Sequence, residues 1–263
     1  MFSDVKDPLR LGLIFLSTDI TGPAEAQRIL ANFPNLVSIS TNCVFKKDDN
    51  CYSKENYQYA ADRLDESINL LRPTTSFHVV GVSCTSWCFA VGVPQIRANL
   101  AKLLHPETRI VDMATSIFTA AKVLNLKTVN LFAPYKKEFI TTLIPFLAEQ
   151  GITVAEVAYL GLDNDLDVWK VPPETIKRGV IDLMHTSQSA DGSLICCSAL
   201  RILQPGFIDS IERNTGKPVV SSMQGKLILI HIFFFLFSAI ILKLFFRFIN
   251  RNCNRNFVCN QNN

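Results

Sequence analysis

Short unbroken runs of apolar residues alternate along the chain with segments of helical spacing. Leu11-Gly12-Leu13-Ile14-Phe15-Leu16 is apolar throughout, as a strand covered on both faces would be. It ends in Ser17-Thr18-Asp19-Ile20-Thr21, polar groups placed where a ligand can sit. Gly22-Pro23 opens a helix that must stop before Pro34, because proline suits a first helical turn and breaks a later one. Leu36 to Thr41 reads as a second strand and Lys46-Lys47-Asp48-Asp49-Asn50 as a solvated loop. Ser53 caps one helix carrying Tyr57, Ala61, Leu64, Ile68 and Leu71, which Pro73 ends. Phe77 to Ser83 is a third strand, and it presents Cys84.

Ile96, Leu100 and Leu103 then mark a helix, Arg109 to Val111 a short strand, and Thr115-Ser116 the cap of a helix with Ala120, Ala121 and Leu124. From Thr128 the pattern repeats. Thr128 to Phe132 is a strand running into Ala133-Pro134-Tyr135. A helix with Phe139, Leu143 and Phe146 closes at Gly151, and Ile152 to Val157 is a strand. Gly161-Leu162-Asp163-Asn164-Asp165 is a polar loop, Pro173 starts a helix with Ile176, Val180 and Leu183, and Ser193 to Cys196 is the strand that presents Cys197. Alternating strands and helices build parallel sheets with right-handed crossovers. The expected fold is α/β: two pseudo-twofold-related lobes, each a short parallel sheet flanked by helices, with the site in the cleft between them. The first lobe is 1–112 with Cys84 and the second 113–224 with Cys197, its last strand 217–222 free to return to the first lobe; 225–263 is a hydrophobic segment and a basic, Asn-rich tail.

The repeat places a thiol at the carboxyl end of a strand in each half, where open α/β sheets bind ligands. A thiol works as thiolate, and the N–H groups of a helix starting just after it lower its pKa. Thr85-Ser86 and Ser198-Ala199 stand where such groups also bind a carboxylate. Between two thiols, one removes a proton or adds to a double bond while the other delivers a proton on the opposite face. One cysteine at a buried strand end is more often a small core residue, and Cys88 and Cys196 read that way. Cys84 and Cys88 lack a second ligand pair, and His78, His105, His185 and His231 are scattered, so no metal site is read; no Gly-rich phosphate loop is present, and no organic cofactor is needed. A net charge of +3 is too mild to point to nucleic acid, and eight cysteines behind an N-terminus without a signal-peptide core point to a reducing compartment.

Ser83-Cys84-Thr85-Ser86, Cys196-Cys197-Ser198-Ala199-Leu200-Arg201 and Gly216-Lys217-Pro218-Val219-Val220-Ser221-Ser222-Met223-Gln224 resemble the Asp/Glu/hydantoin racemase superfamily. The similarity is closest to its maleate cis-trans isomerase and arylmalonate decarboxylase branch, ectoine-utilisation relatives included, from about Arg10 to Gln224. The resemblance implies a cofactor-independent enzyme in which Cys84 adds to a double bond and Cys197 handles the proton. It also implies that Tyr135 and Asn164 hold carboxylates. Decarboxylases of this branch keep only the second cysteine, so two argue for an isomerase or racemase acting on a small carboxylate. Asp19, Thr85, Tyr135, Asn164 and Ser198 are the expected substrate contacts. Asp19 stands where maleate isomerases have asparagine; ionised, it would repel a carboxylate, which suggests a substrate with an amine there. Its other reading is a residue binding backbone N–H groups at the start of a helix.

After Gln224 the sequence departs from the resemblance, which implies a further helix packed on the first lobe. Residues 227–246 are apolar except His231, Ser238 and Lys243, and 20 residues with basic flanks are enough for a single-pass anchor below a cytoplasmic catalytic body. A second reading is translation of an AT-rich stretch beyond a splice donor at Gly225-Lys226, leaving a truncated enzyme. The third, a tail that replaces the missing helix in the core, ranks last because Phe233 to Phe237 is apolar all round. The expectation is therefore a cofactor-independent isomerase or racemase, compatible with a homo-oligomer. An arylmalonate-type decarboxylase and a truncated, non-catalytic carboxylate-binding paralogue are the alternatives.

Overall fold

The structure is a computed structural model and describes residues 7–33, 35–45, 51–71 and 76–235. Pro34, the loop at 46–50, Pro73 and the tail beyond Phe235 lie outside the described residues. The first half contains β1 (Leu9–Leu16), α1 (Thr21–Leu30), β2 (Leu36–Cys43), α2 (Lys54–Ala61), α3 (Leu64–Leu71), β3 (Val79–Val82), α4 (Thr85–Val91), α5 (Val93–Leu103) and β4 (Arg109–Asp112). Then follow α6 (Met113–Val123), β5 (Thr128–Tyr135), α7 (Lys137–Thr141), α8 (Leu143–Glu149), β6 (Thr153–Leu162), a 3-10 helix (Asp165–Lys170), α9 (Pro173–Thr186), β7 (Gly192–Ile195), α10 (Phe207–Thr215), β8 (Val219–Ser221) and α11 (Ser222–Phe235).

Two four-stranded parallel sheets result, with the same strand order: β2-β1-β3-β4 and β6-β5-β7-β8. The inner strands β3 and β7 are buried at every position, which is why their sequences are continuous apolar or small runs. The edge strands β2 and β6 leave residues exposed. The strand at the end of the repeat does not return to the first sheet. It is β8, paired with β7, and the helix after it crosses over instead.

Three local expectations change. The helix expected from Ser53 to Leu71 is two, α2 and α3, broken at Asp62-Arg63; Ser53 caps the first by accepting the Asn56 N–H at 3.2 Å. The cap of α6 is Asp112, whose carboxylate accepts the Thr115 N–H at 2.7 Å; the Ser116 and Thr119 hydroxyls bond carbonyls of the preceding turn. No helix starts after Cys197. The chain turns there, and α10 begins only at Phe207.

The largest correction concerns the end of the chain. Up to Phe235 the apolar segment is α11, which packs on α6, β4 and α1, the place of the closing helix that the sequence lacked. Leu227, Leu229 and Ile230 are buried in protein rather than aimed at lipid, and among the described residues no helix is long and apolar enough to cross a membrane. An all-apolar helix is what a covered helix requires, and the pattern alone does not distinguish that cover from a bilayer. The rest of the segment read as an anchor lies outside the described residues.

At Gly225 the backbones of α11 and α6 come so close that an added Cβ would lie 2.9 Å from Ile117 Cα and 3.0 Å from the Ser116 carbonyl oxygen. Gly225→Val is therefore expected to destabilise the fold by about 2–3 kcal/mol in urea unfolding, since neither backbone can retreat without opening the core. A near-neutral result would mean that α11 does not pack on α6.

Candidate active site

β3 ends at Val82, and Cys84 follows as the N-cap of α4 in extended conformation, its Sγ accepting the Trp87 N–H at 3.4 Å. The Ser86 hydroxyl lies 3.2 Å from the same sulfur. On the other sheet β7 ends at Ile195, and the Cys196 N–H bonds the Phe132 carbonyl at 2.9 Å, which leaves Cys197 in the turn beyond the ladder. Both thiols are nearly covered, Cys84 at 7% and Cys197 at 4% exposure. Burial pushes both well above the usual thiol range, and Asp165 adds to the effect at each. The helix N-terminus expected to lower both is present only at Cys84, and there desolvation outweighs it.

Asp165 was not singled out in the sequence. It is buried, accepts hydrogen bonds from the Thr18 hydroxyl and from Tyr52 OH at 2.9 Å, and so joins groups from both halves. Burial raises its pKa. Its neighbour Asn164, expected to hold a carboxylate, is half-buried, and its side-chain oxygen caps the 3-10 helix by accepting the Leu166 N–H at 2.9 Å. Asp163, Asp165 and Asp167 share that polar stretch, and only the phase of the 3-10 turn decides which faces inward. No sequence signal reports that phase.

Asp19 fits both of its readings. Its Oδ1 accepts the Gly22 N–H at 2.7 Å at the start of α1, while Oδ2 has no partner at hydrogen-bonding geometry among the described residues. An added Cβ on residue 22 would meet Oδ2 at 2.5 Å, so only glycine leaves room for it. Burial pushes Asp19 up to about 6, with the Ser198 hydroxyl and Gly22 N–H pulling it back and Asp165 adding to the rise. Tyr135 is fully buried, its ring edge-on to Tyr52 at 4.8 Å and to Phe139 at 5.2 Å. The hydroxyls of Tyr135 and of Tyr57, a second residue the sequence did not single out, also meet no partner at bonding geometry, though both lie beside Ser86. Thr85 is engaged elsewhere: its hydroxyl donates to Ser222 Oγ at 2.8 Å, and Ser222 donates to the Ile195 carbonyl at 3.3 Å. That line ties the two cysteine-bearing strand ends through the start of α11.

Among the described residues no three His, Cys, Asp or Glu side chains are grouped to hold a metal ion. The arrangement is two thiols, two acids and unpartnered phenols, drawn from both sheets.

The sequence profile of arylmalonate decarboxylase matches residues 49–229. The chain belongs to that family. Its fold is shared with a cysteine-to-serine mutant of maleate cis-trans isomerase from Nocardia farcinica that carries a covalently bound succinylcysteine intermediate. That pair has a TM-score of 0.74 and 17% identity over 86% of this chain and 92% of the other. Maleate isomerase from Pseudomonas putida S16, a mutant holding maleate, aligns with TM-score 0.70 and 18% identity over 84% and 90%. A double mutant of arylmalonate decarboxylase in its liganded form aligns with TM-score 0.71 and 22% identity over 83% and 89%. No curated protein sequence matches the chain. Within this arylmalonate decarboxylase and maleate isomerase family of the Asp/Glu racemase superfamily, members are cofactor-independent isomerases and decarboxylases.

Glu25 on α1 was also illegible in the sequence. Its Oε1 accepts the N–H groups of Ile202 and Leu203 at 2.9 Å each, fastening the first half to the loop that follows Cys197. Burial pushes its pKa up to about 8. Glu25 and Asp19 both keep their protons to higher pH folded than unfolded, so stability falls as pH rises from about 5 to 7, by about 2–4 kcal/mol in all. Lys226, pulled down to about 7 by burial, acts in the opposite sense, but only above pH 7. The melting temperature is expected to drop between pH 5 and 7, and Glu25→Gln should remove most of the drop. An unchanged slope in Glu25→Gln would mean that Glu25 is not the group being titrated.

Proposed function

We propose that the chain is a cofactor-independent isomerase or racemase acting at the α-carbon or double bond of a small carboxylate, with Cys84 and Cys197 as the reacting pair. The observation that carries this reading is the matched delivery of two thiols from equivalent strand ends onto shared neighbours, since Asp165, Tyr135 and Tyr57 each interact with both. Proton transfer balances simply. One sulfur, as thiolate, takes the α-proton and becomes thiol; the other, as thiol, gives its proton to the opposite face and becomes thiolate. In the addition variant Cys84 sulfur bonds one alkene carbon while Cys197 protonates the other. Rotation about the new single bond and the reverse elimination return both sulfurs to their starting states. The Tyr57 and Tyr135 hydroxyls have unused donors, which suits charge developing on the substrate carboxylate.

The two acids bear on the substrate. A second carboxylate placed against Asp19 and Asp165 would meet two groups already raised by burial. An ammonium there would be paired, and it would lower both. The substrate we infer therefore carries an amine or another donor on the Asp19 side. Decarboxylation is less well supported, because the resemblance associates it with a single cysteine. The raised thiols favour one alternative, a carboxylate-binding protein without turnover.

Solvent-deuterium incorporation at the α-carbon of small dicarboxylates and amino acids tests the reading. The full chain should exchange at least one of them, and Cys84→Ser and Cys197→Ser should each cut the rate about a hundredfold or more. Binding without exchange in a folded full chain would favour the non-catalytic alternative. Asp19→Asn should gain maleate turnover over the native chain; no gain would count against a charge role for Asp19.

A further inference from the structure

Among the described residues Lys226 is the only lysine or arginine that is buried, at 1% exposure, and it belongs to α11 rather than to any element assigned to the site. Its Nζ donates to the Ser83 hydroxyl, between the end of β3 and Cys84, and, at 3.3 Å, to the Gly81 carbonyl of β3. The side chain fits because residue 81 is glycine: an added Cβ would lie 2.8 Å from Lys226 Cε. The ring of Phe15 covers it at 5.3 Å from Nζ to the centroid. No carboxylate of the described residues lies within ion-pair distance. Asp112 is near enough to act on Lys226 but is held by Arg97 at 2.5 Å, and Asp19 is the other acid in range. Of the two thiols that act on Lys226, Cys88 on α4 acts more strongly than Cys84 at its N-cap.

A buried ammonium held only by neutral dipoles is costly, and so is a buried thiolate with an acid beside it. The two charges offset each other. Cys84 as thiol with Lys226 as amine holds as many protons as Cys84 thiolate with Lys226 ammonium; the proton leaves Sγ and ends on Nζ. We propose that Lys226 is a positioning residue for Cys84, its ammonium supplying the one positive charge that lets this thiol ionise in a site otherwise lined by acids. Cys88 competes for the same charge and receives N–H groups of Met113 and Ala114; burial raises its thiol as it raises that of Cys84, but Cys88 has no exposed surface from which to react, whereas Cys84 keeps 7%. Cys197, on the other sheet, has no such buried cation among the described residues. The pair of thiols is thus asymmetric: the first is the one poised to lose its proton, and the second the one that keeps it. The inference concerns thiol reactivity alone and stands or falls without any substrate.

The test is the pH dependence of iodoacetamide alkylation in the full chain, read at each cysteine by peptide mass spectrometry, with Cys197 as internal reference. Lys226→Met should lower the Cys84 rate near pH 7.5 about tenfold, a shift of about one pH unit in its profile, and leave Cys197 unchanged. Because it removes a buried charge and keeps the volume, the same variant should melt no lower than the native chain. Ser83→Ala, which frees the ammonium from its anchor, should move the Cys84 profile the same way by less. A folded Lys226→Met protein whose Cys84 profile is unchanged, or whose Cys84 and Cys197 rates fall together, would overturn the assignment.

Discussion

The hydrogen-bonded line from the Thr85 hydroxyl through Ser222 to the Ile195 carbonyl is the constraint on which the site depends. Each sheet can place a thiol beyond its own carboxyl edge, but nothing in one sheet fixes where the other sheet's thiol stands. Ser222 does so because it is the first residue of the helix that leaves the second sheet and packs on the first. Glu25 makes the reciprocal tie, reaching from α1 to the backbone that follows Cys197. One tie is neutral and one titrates: Glu25 is the stronger acceptor as a carboxylate, so its two bonds weaken as pH falls through about 8, even as neutralising a buried acid stabilises the fold.

Desolvation sets the chemistry more than helix termini do. The argument that N–H groups after a strand activate a thiol holds for exposed sites. Here the covering of Cys84 and Cys197 raises both, and the nearby acids reinforce it. A site of this kind works by having its charge balance changed, either by a ligand that brings positive charge or by a cation already in the core. Lys226 is the second kind, and the amine inferred on the substrate the first.

Much of this was legible because parallel strands covered on both faces write themselves as apolar runs, and thiols at their ends are easy to place. β1, β3, β5 and β7 lie where the pattern put them, as do Cys84, Cys197, Asp19 and Tyr135. The failures share a cause. That Asp165 went unread is a matter of the phase of one 3-10 turn, Asp112 against Thr115 a matter of where a helix begins, and the absent helix after Cys197 a matter of what the following loop packs on. Each is set by contacts between distant segments, of which the Glu25 bonds to Ile202 and Leu203 are an example, and local spacing carries no record of them.

The end of the chain shows the same limit from the other side. An all-apolar helix with a lysine at its start has two physical solutions: a span whose lysine sits at the headgroups, or a core helix whose lysine is buried. The second demands a partner for the ammonium and a glycine where the helix meets its neighbour. Ser83 and Gly81 provide the first, and Gly225 the second. Those residues lie on β3, just beyond its end and on α11 itself, so the element that closes the first half is also the one that brings a positive charge to the strand end preceding the first thiol. Any substitution that makes α11 a better packed helix by removing Lys226 therefore trades stability against the ionisation of Cys84.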